Sequence, residues 1–156
     1  VTNTSSGAGA SACSMVARAD GIGNDLTVVF SPAVVGDSFT VSTTGYLTPG
    51  VVVGEKVQLV CEVSLTGMAA SASNSFLKSI EIYNQFNGSS SYGWTAKPQG
   101  ANATTYPNSD MTLTIVSPEF TIPIGTTGVG LQMVFTSAVA TGSLTVKVGR
   151  LSLDRL

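Results

Sequence analysis

Apolar and polar residues alternate with a period of two along most of the chain. The clearest run covers residues 56–65, where every second residue from Val57 to Leu65 is apolar and the residues between them are mostly polar. Shorter runs with the same period surround Phe30, Val41, Ile82, Leu113 and Met133. Because successive side chains of a strand point to opposite faces of the sheet, this pattern predicts strands with one buried face.

Segments rich in Gly, Asn, Asp and Pro separate these runs, at residues 21–25, 45–50, 53–55, 87–88, 108–110 and 124–130. About nine or ten strands fit between them, with no space for the helical crossovers of a parallel sheet. We therefore expect an all-β fold, an antiparallel β-sandwich of the jelly-roll kind. Residues 1–10 have the composition of a linker from an upstream region, and residues 11–156 are expected to form the single sandwich domain.

The last predicted strand contains a change of phase. Leu144, Val146 and Val148 occupy even positions, whereas Leu151 and Leu153 occupy odd ones. A β-bulge at Gly149 would keep both sets on the buried face. The alternative is that both faces of this strand are covered, for example by a neighbouring subunit.

The surface of the domain is predicted to be polar but nearly uncharged. Charged residues make up 10% of the 156 residues, against about 25% in an average globular protein, and the net charge is −2. The Lys and Arg residues are scattered singly, so we expect no nucleic-acid partner. No apolar run reaches the roughly 18 residues of a membrane span, so we expect no membrane partner.

The chain lacks the residues of common catalytic systems. It contains no histidine, which removes the Ser-His-Asp and Cys-His nucleophiles and every His-ligated metal site. Paired carboxylates could still cleave glycosides, but nothing distinguishes Glu62 and Glu81 from ordinary surface charges. We expect this domain to have no catalytic residues and not to be an enzyme.

Two cysteines, Cys13 and Cys61, leave two interpretations open. They could form a disulfide between neighbouring strands, or they could be two buried thiols that behave as small apolar residues. Cys61 alternates in phase with Val57 and Leu65, so it is predicted to face the core. This favours the buried thiols.

A Gly-rich turn near the N-terminus carries oxygen ligands of the type that calcium prefers, from Asp20, Asn24 and Asp25. Asp and Asn also form turns through local hydrogen bonds. Turn formation is the favoured interpretation, and calcium, the one cofactor considered, is the alternative.

The segment at residues 83–106 is the candidate glycan-binding site. It holds the only Trp and three of the four Tyr, embedded in Asn, Gln, Ser and Gly. A flat aromatic ring can cover the apolar face of a sugar while amides hydrogen-bond its hydroxyls. Phe86 is in phase with Ile80 and Ile82 and is therefore expected to be a core residue, whereas display and packing remain equally open for Trp94. The candidate residues are Trp94, Tyr92, Tyr106, Tyr83, Asn84, Gln85, Asn87, Lys97 and Gln99.

Several strand-and-turn segments resemble those of the jelly-roll domains at the C-terminal ends of bacteriophage tailspikes and tail fibres, which are similar in turn to carbohydrate-binding modules. These segments are residues 16–21 (VARADG), 47–50 (LTPG), 53–57 (VGEKV), 120–125 (FTIPIG) and 144–153 (LTVKVGRLSL). The resemblance implies an extracellular or virion protein and a homotrimer downstream of a fibrous shaft. It also implies a role in trimerisation or in binding bacterial surface polysaccharide, with any polysaccharide-degrading activity in an upstream domain. In carbohydrate-binding modules of this fold a calcium often joins the N-terminal region to the last strand, which would add Asp154 to the ligands.

Apolar residues on predicted outer faces also favour an oligomeric assembly. Val29, Val60, Val116 and Val134 lie out of phase with the core, and a trimer would bury them. Two alternatives remain, a structural jelly-roll subunit of a capsid or pilus-like assembly, and a free-standing carbohydrate-binding module.

Overall fold

The computed structural model describes residues 2–6, 9–18, 20–21, 24–42, 52–70, 75–87, 89–96, 106 and 108–156. These residues form eleven strands, slightly more than the nine or ten predicted. The strands are β1 (Thr2–Ser6), β2 (Ala10–Ala17), β3 (Asn24–Ser31), β4 (Ser38–Ser42), β5 (Lys56–Thr66), β6 (Leu77–Phe86), β7 (Ser89–Ala96), β8 (Met111–Val116), β9 (Phe120–Thr121), β10 (Val129–Ser137) and β11 (Leu144–Arg155).

The strands form two antiparallel sheets, which confirms the predicted all-β sandwich. Sheet A has the order β1-β4-β10-β6-β7. Sheet B has the order β2-β3-β11-β5-β8, and the short β9 also pairs with β5. Most consecutive strands belong to different sheets, so the chain repeatedly crosses the sandwich, as in jelly rolls. None of the described residues forms a helix long and apolar enough to cross a membrane.

The core lies between the two sheets and is centred on phenylalanines. Phe39 and Phe135 are register partners on neighbouring strands of sheet A, and their rings stack with centroids 4.7 Å apart. Phe30 of sheet B lies 4.8 Å from the Phe39 ring and contacts Phe76 edge-on at 6.5 Å. All four are buried, so these rings join the sheets directly.

The structure places residues 2–6 differently from the predicted linker. They form β1, an edge strand of sheet A whose register with β4 runs from Thr2 opposite Ser42 to Ser6 opposite Ser38. This segment, TNTSS, contains no apolar residue. Period-two patterns detect strands through their apolar face. They could not predict β1, which has no apolar residue and is held in the sheet by its backbone pairing with β4.

The phase change in the last strand is a β-bulge, as predicted. Along β11, Val148 pairs with Val63 of β5, and the next pair is Leu151 with Cys61. Gly149 and Arg150 therefore oppose the single residue Glu62, which is the two-to-one count of a bulge.

The two cysteines are free, and they differ in environment. Cys61 is buried as predicted, whereas Cys13 is exposed, so the pair is neither a disulfide nor two buried thiols. Their strands are separated by β3 and β11, a distance of roughly 14 Å at about 4.8 Å per strand, too far for a disulfide. Burial raises the pKa of the Cys61 thiol to about 12, with a smaller contribution from the charge of Glu62.

Candidate functional site

A polar surface covers the side of sheet A that faces away from the core. On β6, Ile80 is buried, and Glu81, Tyr83 and Gln85 alternate with the inward positions and are half-buried. On β10, Met133 and Phe135 are buried and the residues between them point outward. We call this surface the outer face of sheet A. Its described members are Ser79, Glu81, Tyr83, Gln85, Gln132, Val134, Thr136, Ser38, Thr40 and Ser42.

Gln132 lies at the centre of this face. In the sheet register it opposes Tyr83 of β6 on one side and Ser42 of β4 on the other. The Gln85 side chain reaches it diagonally, with Nε2 donating a hydrogen bond to Gln132 Oε1 over 3.1 Å. Each amide has donors and an acceptor, so the two glutamines present both kinds of group in a fixed arrangement.

Tyr83 is held in place by its neighbour two residues back on β6. Its hydroxyl donates a hydrogen bond to Glu81 Oε2 over 2.7 Å. This bond raises the pKa of Tyr83 above its ordinary value, with smaller contributions from burial and from the charge of Glu81. The bond to Glu81 fixes the ring on the outer face beside the two glutamines.

The strand next to Tyr83 at the sheet edge is β7, which carries two of the predicted aromatic residues. Gly93 opposes Tyr83 in the register, so no side chain occupies the position beside the ring on that side. Trp94 opposes Ile82, and Tyr92 opposes Asn84. The structure describes the backbones of Trp94, Tyr92 and Asn84 but not their side chains, and Lys97 and Gln99 lie outside the described residues.

Tyr106 is a correction, because it belongs to the core and not to a displayed surface. Only 7% of the residue is exposed, and its hydroxyl accepts a hydrogen bond from the Ile80 backbone N over 3.0 Å. Burial raises the pKa of Tyr106, and the hydrogen bond from Ile80 opposes this rise. Tyr106 lies in a polar stretch without apolar alternation, so the sequence pattern carried no sign of its burial.

The side chain of Asn87 is engaged within the chain. Nδ2 donates to the Gly125 carbonyl, and Oδ1 accepts from Thr127 and from the Gly128 backbone N. Its φ of 53° places it in the left-handed region that Asn tolerates better than most residues. Phe86 is half-buried and packs edge-on against Phe120 at 5.6 Å, as expected for a packing residue.

The predicted calcium ligands do not converge. Arg18 interacts with both aspartates of the turn, through contacts of 3.3 Å to Asp20 and 3.9 Å to Asp25. Asp25 lies near Gly149 of β11, whereas Asp154 is five residues further along the strand, about 16 Å away. The described residues contain no group of three or more His, Cys, Asp or Glu that could hold a metal. Asp154 is therefore too far from Asp25 to share an ion with it, and Arg18 already contacts both aspartates of the turn.

Two of the outer-face residues that the predicted set lacked contribute to the arrangement around Tyr83. Glu81 and Gln132 both lie at outward positions of apolar-polar alternation, where they resemble ordinary surface residues. Gln132 lies between Leu131 and Met133 in the sequence. This position predicts that its side chain points outward, but it does not identify its neighbours on the adjacent strands. Only the register shows that Gln132 adjoins Tyr83.

The chain matches no protein-family model, and no curated protein matches it in sequence. Solved structures resemble it in fold. One of them has a TM-score of 0.59 at 14% identity. Its description reads "structural basis for the promiscuous specificity of the carbohydrate-binding modules from the β-sandwich superfamily". The match covers 97% of this chain and 56% of that one, so the chain spans little more than half of its length. This structural neighbour is a carbohydrate-binding β-sandwich, which agrees with the fold described above.

Two further structures are more distant. A structure described as CBM4 structure and function has a TM-score of 0.46 at 8% identity, with 91% of this chain and 88% of that chain covered. The enzymatically active domain of tailspike protein 4 from bacteriophage CBA120 has a TM-score of 0.46 at 12% identity, with 99% of this chain and 19% of that chain covered.

Proposed function

We propose that this domain is a non-catalytic glycan-binding module and that the outer face of sheet A is its binding surface. The observation that carries the proposal is the ring of Tyr83, fixed by its 2.7 Å bond to Glu81 beside the hydrogen-bonded pair Gln85 and Gln132. The fold it shares with a carbohydrate-binding β-sandwich supports the same function.

The chemistry of this face suits a sugar. An aromatic ring packs against the C–H groups of a pyranose, and amide and hydroxyl groups bond its hydroxyl edges. The fixed positions of Tyr83 and the two glutamines reduce the entropy lost on binding, because their side chains are already ordered. Glu81 is the one carboxylate among the described residues of the face, and it would repel uronates and other acidic sugars. The proposed ligand is therefore a neutral glycan.

The same face offers little for catalysis. Glycoside hydrolysis ordinarily needs two carboxyl groups flanking the scissile bond. Among the described outer-face residues only Glu81 has a carboxyl group, and the chain has no histidine to serve as a general acid or base. This supports a binding role without hydrolysis.

Substitutions on the two sheets test the proposal. We expect Tyr83→Ala to lose most binding on a glycan array and in calorimetry, and Gln132→Ala to weaken it severalfold. Gln58→Ala is the matched control, because Gln58 is a half-buried glutamine on the opposite sheet. Trp94→Ala tests the prediction that Trp94 takes part. Unchanged binding by Tyr83→Ala and Gln132→Ala, with the fold intact, would refute the site.

A location in a phage tailspike or fibre, within a homotrimer, remains a prediction. Two of the four valines predicted to face outward support an assembly role, since Val29 is 40% and Val116 48% exposed. The capsid or pilus-like subunit and the free-standing module remain the alternatives. Sedimentation of the intact chain distinguishes them, with a stable trimer expected for the fibre domain and a monomer arguing against it.

A further inference from the structure

Tyr83 and Glu81 of the outer face share one hydrogen bond, and this bond fixes what their oxygens can still do. The Tyr83 hydroxyl donates its only proton to Glu81 Oε2 over 2.7 Å. A phenol oxygen whose proton is engaged can still accept a hydrogen bond, and an ionised carboxylate has acceptor sites on both oxygens and no donor. Towards a ligand, the pair therefore presents acceptors only.

The described surroundings of Glu81 supply no cation to its carboxylate. Val134, which opposes Glu81 on β10, has an apolar side chain. The described members of the outer face include no Lys or Arg, and the ion pairs among the described residues involve the other acids Asp20, Asp25 and Glu55. The bond from Tyr83 takes one of the roughly four lone-pair sites of the carboxylate, so the others remain for water or a ligand.

The pair can be reached from the side of β7. Tyr83 and Glu81 are both half-buried and not enclosed, and Gly93 opposes Tyr83 on that strand. A glycine places no side chain beside the tyrosine ring, so the register leaves space there for a sugar ring.

Two acceptor oxygens this close to each other match a particular arrangement of donors in a sugar. Neighbouring equatorial hydroxyls of a pyranose hold their oxygens at nearly the separation of Tyr83 Oη and Glu81 Oε2, and each has one proton to donate. Hydrogen bonds to a charged acceptor are roughly twice as strong as neutral ones. A hydroxyl that carries a methyl, acetyl or glycosyl group has no proton to donate, so it could not make these bonds.

We propose that Tyr83 and Glu81 together recognise a vicinal diol, that is, two adjacent unsubstituted hydroxyls of one sugar ring, one donating to each residue. This inference rests on the proposed function and narrows its ligand within the neutral glycans. A hexopyranose chain with 1,4 linkages keeps such a diol in every residue unless it is substituted. A chain with 1,3 linkages has a diol only at its ends.

Two variants test the diol separately from the site itself. Tyr83→Phe keeps the ring and removes the accepting oxygen, whereas Glu81→Gln keeps the size of the side chain and replaces one acceptor oxygen by a donor. We expect each to weaken binding about tenfold in calorimetry, since each removes hydrogen bonds to the diol. Glu62→Gln is the matched control, because Glu62 is a half-buried glutamate in the middle of a strand of the opposite sheet. Circular dichroism and thermal unfolding check that the variants are folded.

The probes are an array of neutral polysaccharides that includes β-1,4-linked and β-1,3-linked glucans. Each is spotted untreated and after oxidation by periodate, which cleaves the carbon–carbon bond of vicinal diols, followed by reduction with borohydride. We expect the wild-type protein to bind polysaccharides that have internal diols and to lose this binding after oxidation. The β-1,3-linked glucan, whose internal residues periodate leaves intact, should bind weakly in both forms.

The failure of the diol differs from the failure of the proposed function. Binding that Tyr83→Ala abolishes, but that Tyr83→Phe and Glu81→Gln leave unchanged, would overturn the diol and leave the glycan site standing. Binding that survives oxidation would do the same, as would stronger binding to a polysaccharide of free amino sugars, which would indicate recognition of charge by Glu81. No binding to any polysaccharide would refute the proposed function and the diol together.

Discussion

Asn87 joins the end of β6 to Thr127, forty residues later. Its Oδ1 accepts hydrogen bonds from the Thr127 backbone N at 2.8 Å and from Oγ1 at 3.0 Å. Its Nδ2 donates to the Gly125 carbonyl at 2.9 Å. The turn that these bonds hold carries Ile124, whose exposed fraction is 95%. A loop between two sheets is thus fixed by one amide side chain.

We expect substitutions of Asn87 to lower the free energy of unfolding in a defined order. Asn87→Ala should cost about 1–2 kcal/mol, because it removes several hydrogen bonds and puts Ala at a left-handed φ that Asn tolerates better. Asn87→Gly should cost less, since it removes only the bonds. Asn87→Asp should be closest to wild type, because the carboxylate retains the acceptor. Urea denaturation measures the order, and an Ala variant as stable as wild type would contradict the role of Asn87.

Tyr106 should make part of the protein's stability dependent on pH in the alkaline range. Its pKa is raised above its value in the unfolded chain, near 10, so the unfolded state loses its proton first. The contribution to stability is therefore complete below pH 10 and falls as the pH rises from there towards the folded pKa. Tyr106→Phe should remove this part of the alkaline loss. It should also cost about 1–3 kcal/mol at neutral pH by leaving the Ile80 N–H without its acceptor.

The measurement is urea denaturation of wild type and Tyr106→Phe at pH 7 and at several values above 10. Tyr83→Phe is the comparison: the pKa of Tyr83 is also raised, by its bond to Glu81, so this variant removes the share of Tyr83 and keeps that of the buried Tyr106. Parallel pH profiles for wild type and Tyr106→Phe would show that the buried phenol does not titrate as expected.

The bulge in β11 should tolerate a side chain, and its removal should leave the register of the strand unchanged. A β-carbon at Gly149 would lie 3.5 Å from Asp25 Oδ1, which is ordinary contact, so Gly149→Ala should change stability by less than about 1 kcal/mol. Deleting Gly149 leaves Arg150 alone opposite Glu62 and keeps Leu151 opposite Cys61. We expect that variant to fold with the same register, because no later residue changes face. Thermal unfolding compares the two, and a deletion variant that fails to fold would contradict the two-to-one pairing.

The two thiols should react at very different rates. Cys13 is exposed, whereas Cys61 is buried, and its pKa is raised to about 12. Because the thiolate is the reactive form, an alkylating reagent at pH 8 should modify Cys13 promptly. Cys61 should react only after denaturant is added. Mass spectrometry counts the adducts, and Cys13→Ser should show none in the native state. Two rapid adducts on the wild-type protein would mean that Cys61 is accessible.

The sequence predicted those parts of the fold whose residues alternate. The strands around Val63, Phe135 and Val146 each have one buried face, and the phase change after Val148 indicated a bulge as one of two explanations. The strand β1 escaped prediction because TNTSS has no apolar face, and its place in sheet A depends on backbone pairing with β4.

The candidate site was predicted in part. Residue type identified Tyr83 and Gln85, but it could not distinguish Tyr83 on the outer face from Tyr106 in the core, because both lie near amides and hydroxyls. Gln132 joins the site from a strand almost fifty residues away from Tyr83, through β10–β6 pairing. Local pattern contains no information on such a long-range neighbour.

The position of β11 has a consequence for how fast the protein folds. This strand lies between β3 and β5, so the β2–β3 pair and the β5–β8 pair remain separate until the final segment of the sandwich arrives between them. Closing sheet B thus requires contacts between residues more than a hundred positions apart, such as Val28 with Val146. Such long closures are entropically costly and slow. Refolding should take roughly milliseconds to seconds, as in other non-local β-folds, and the halves of sheet B are exposed to wrong partners during that interval.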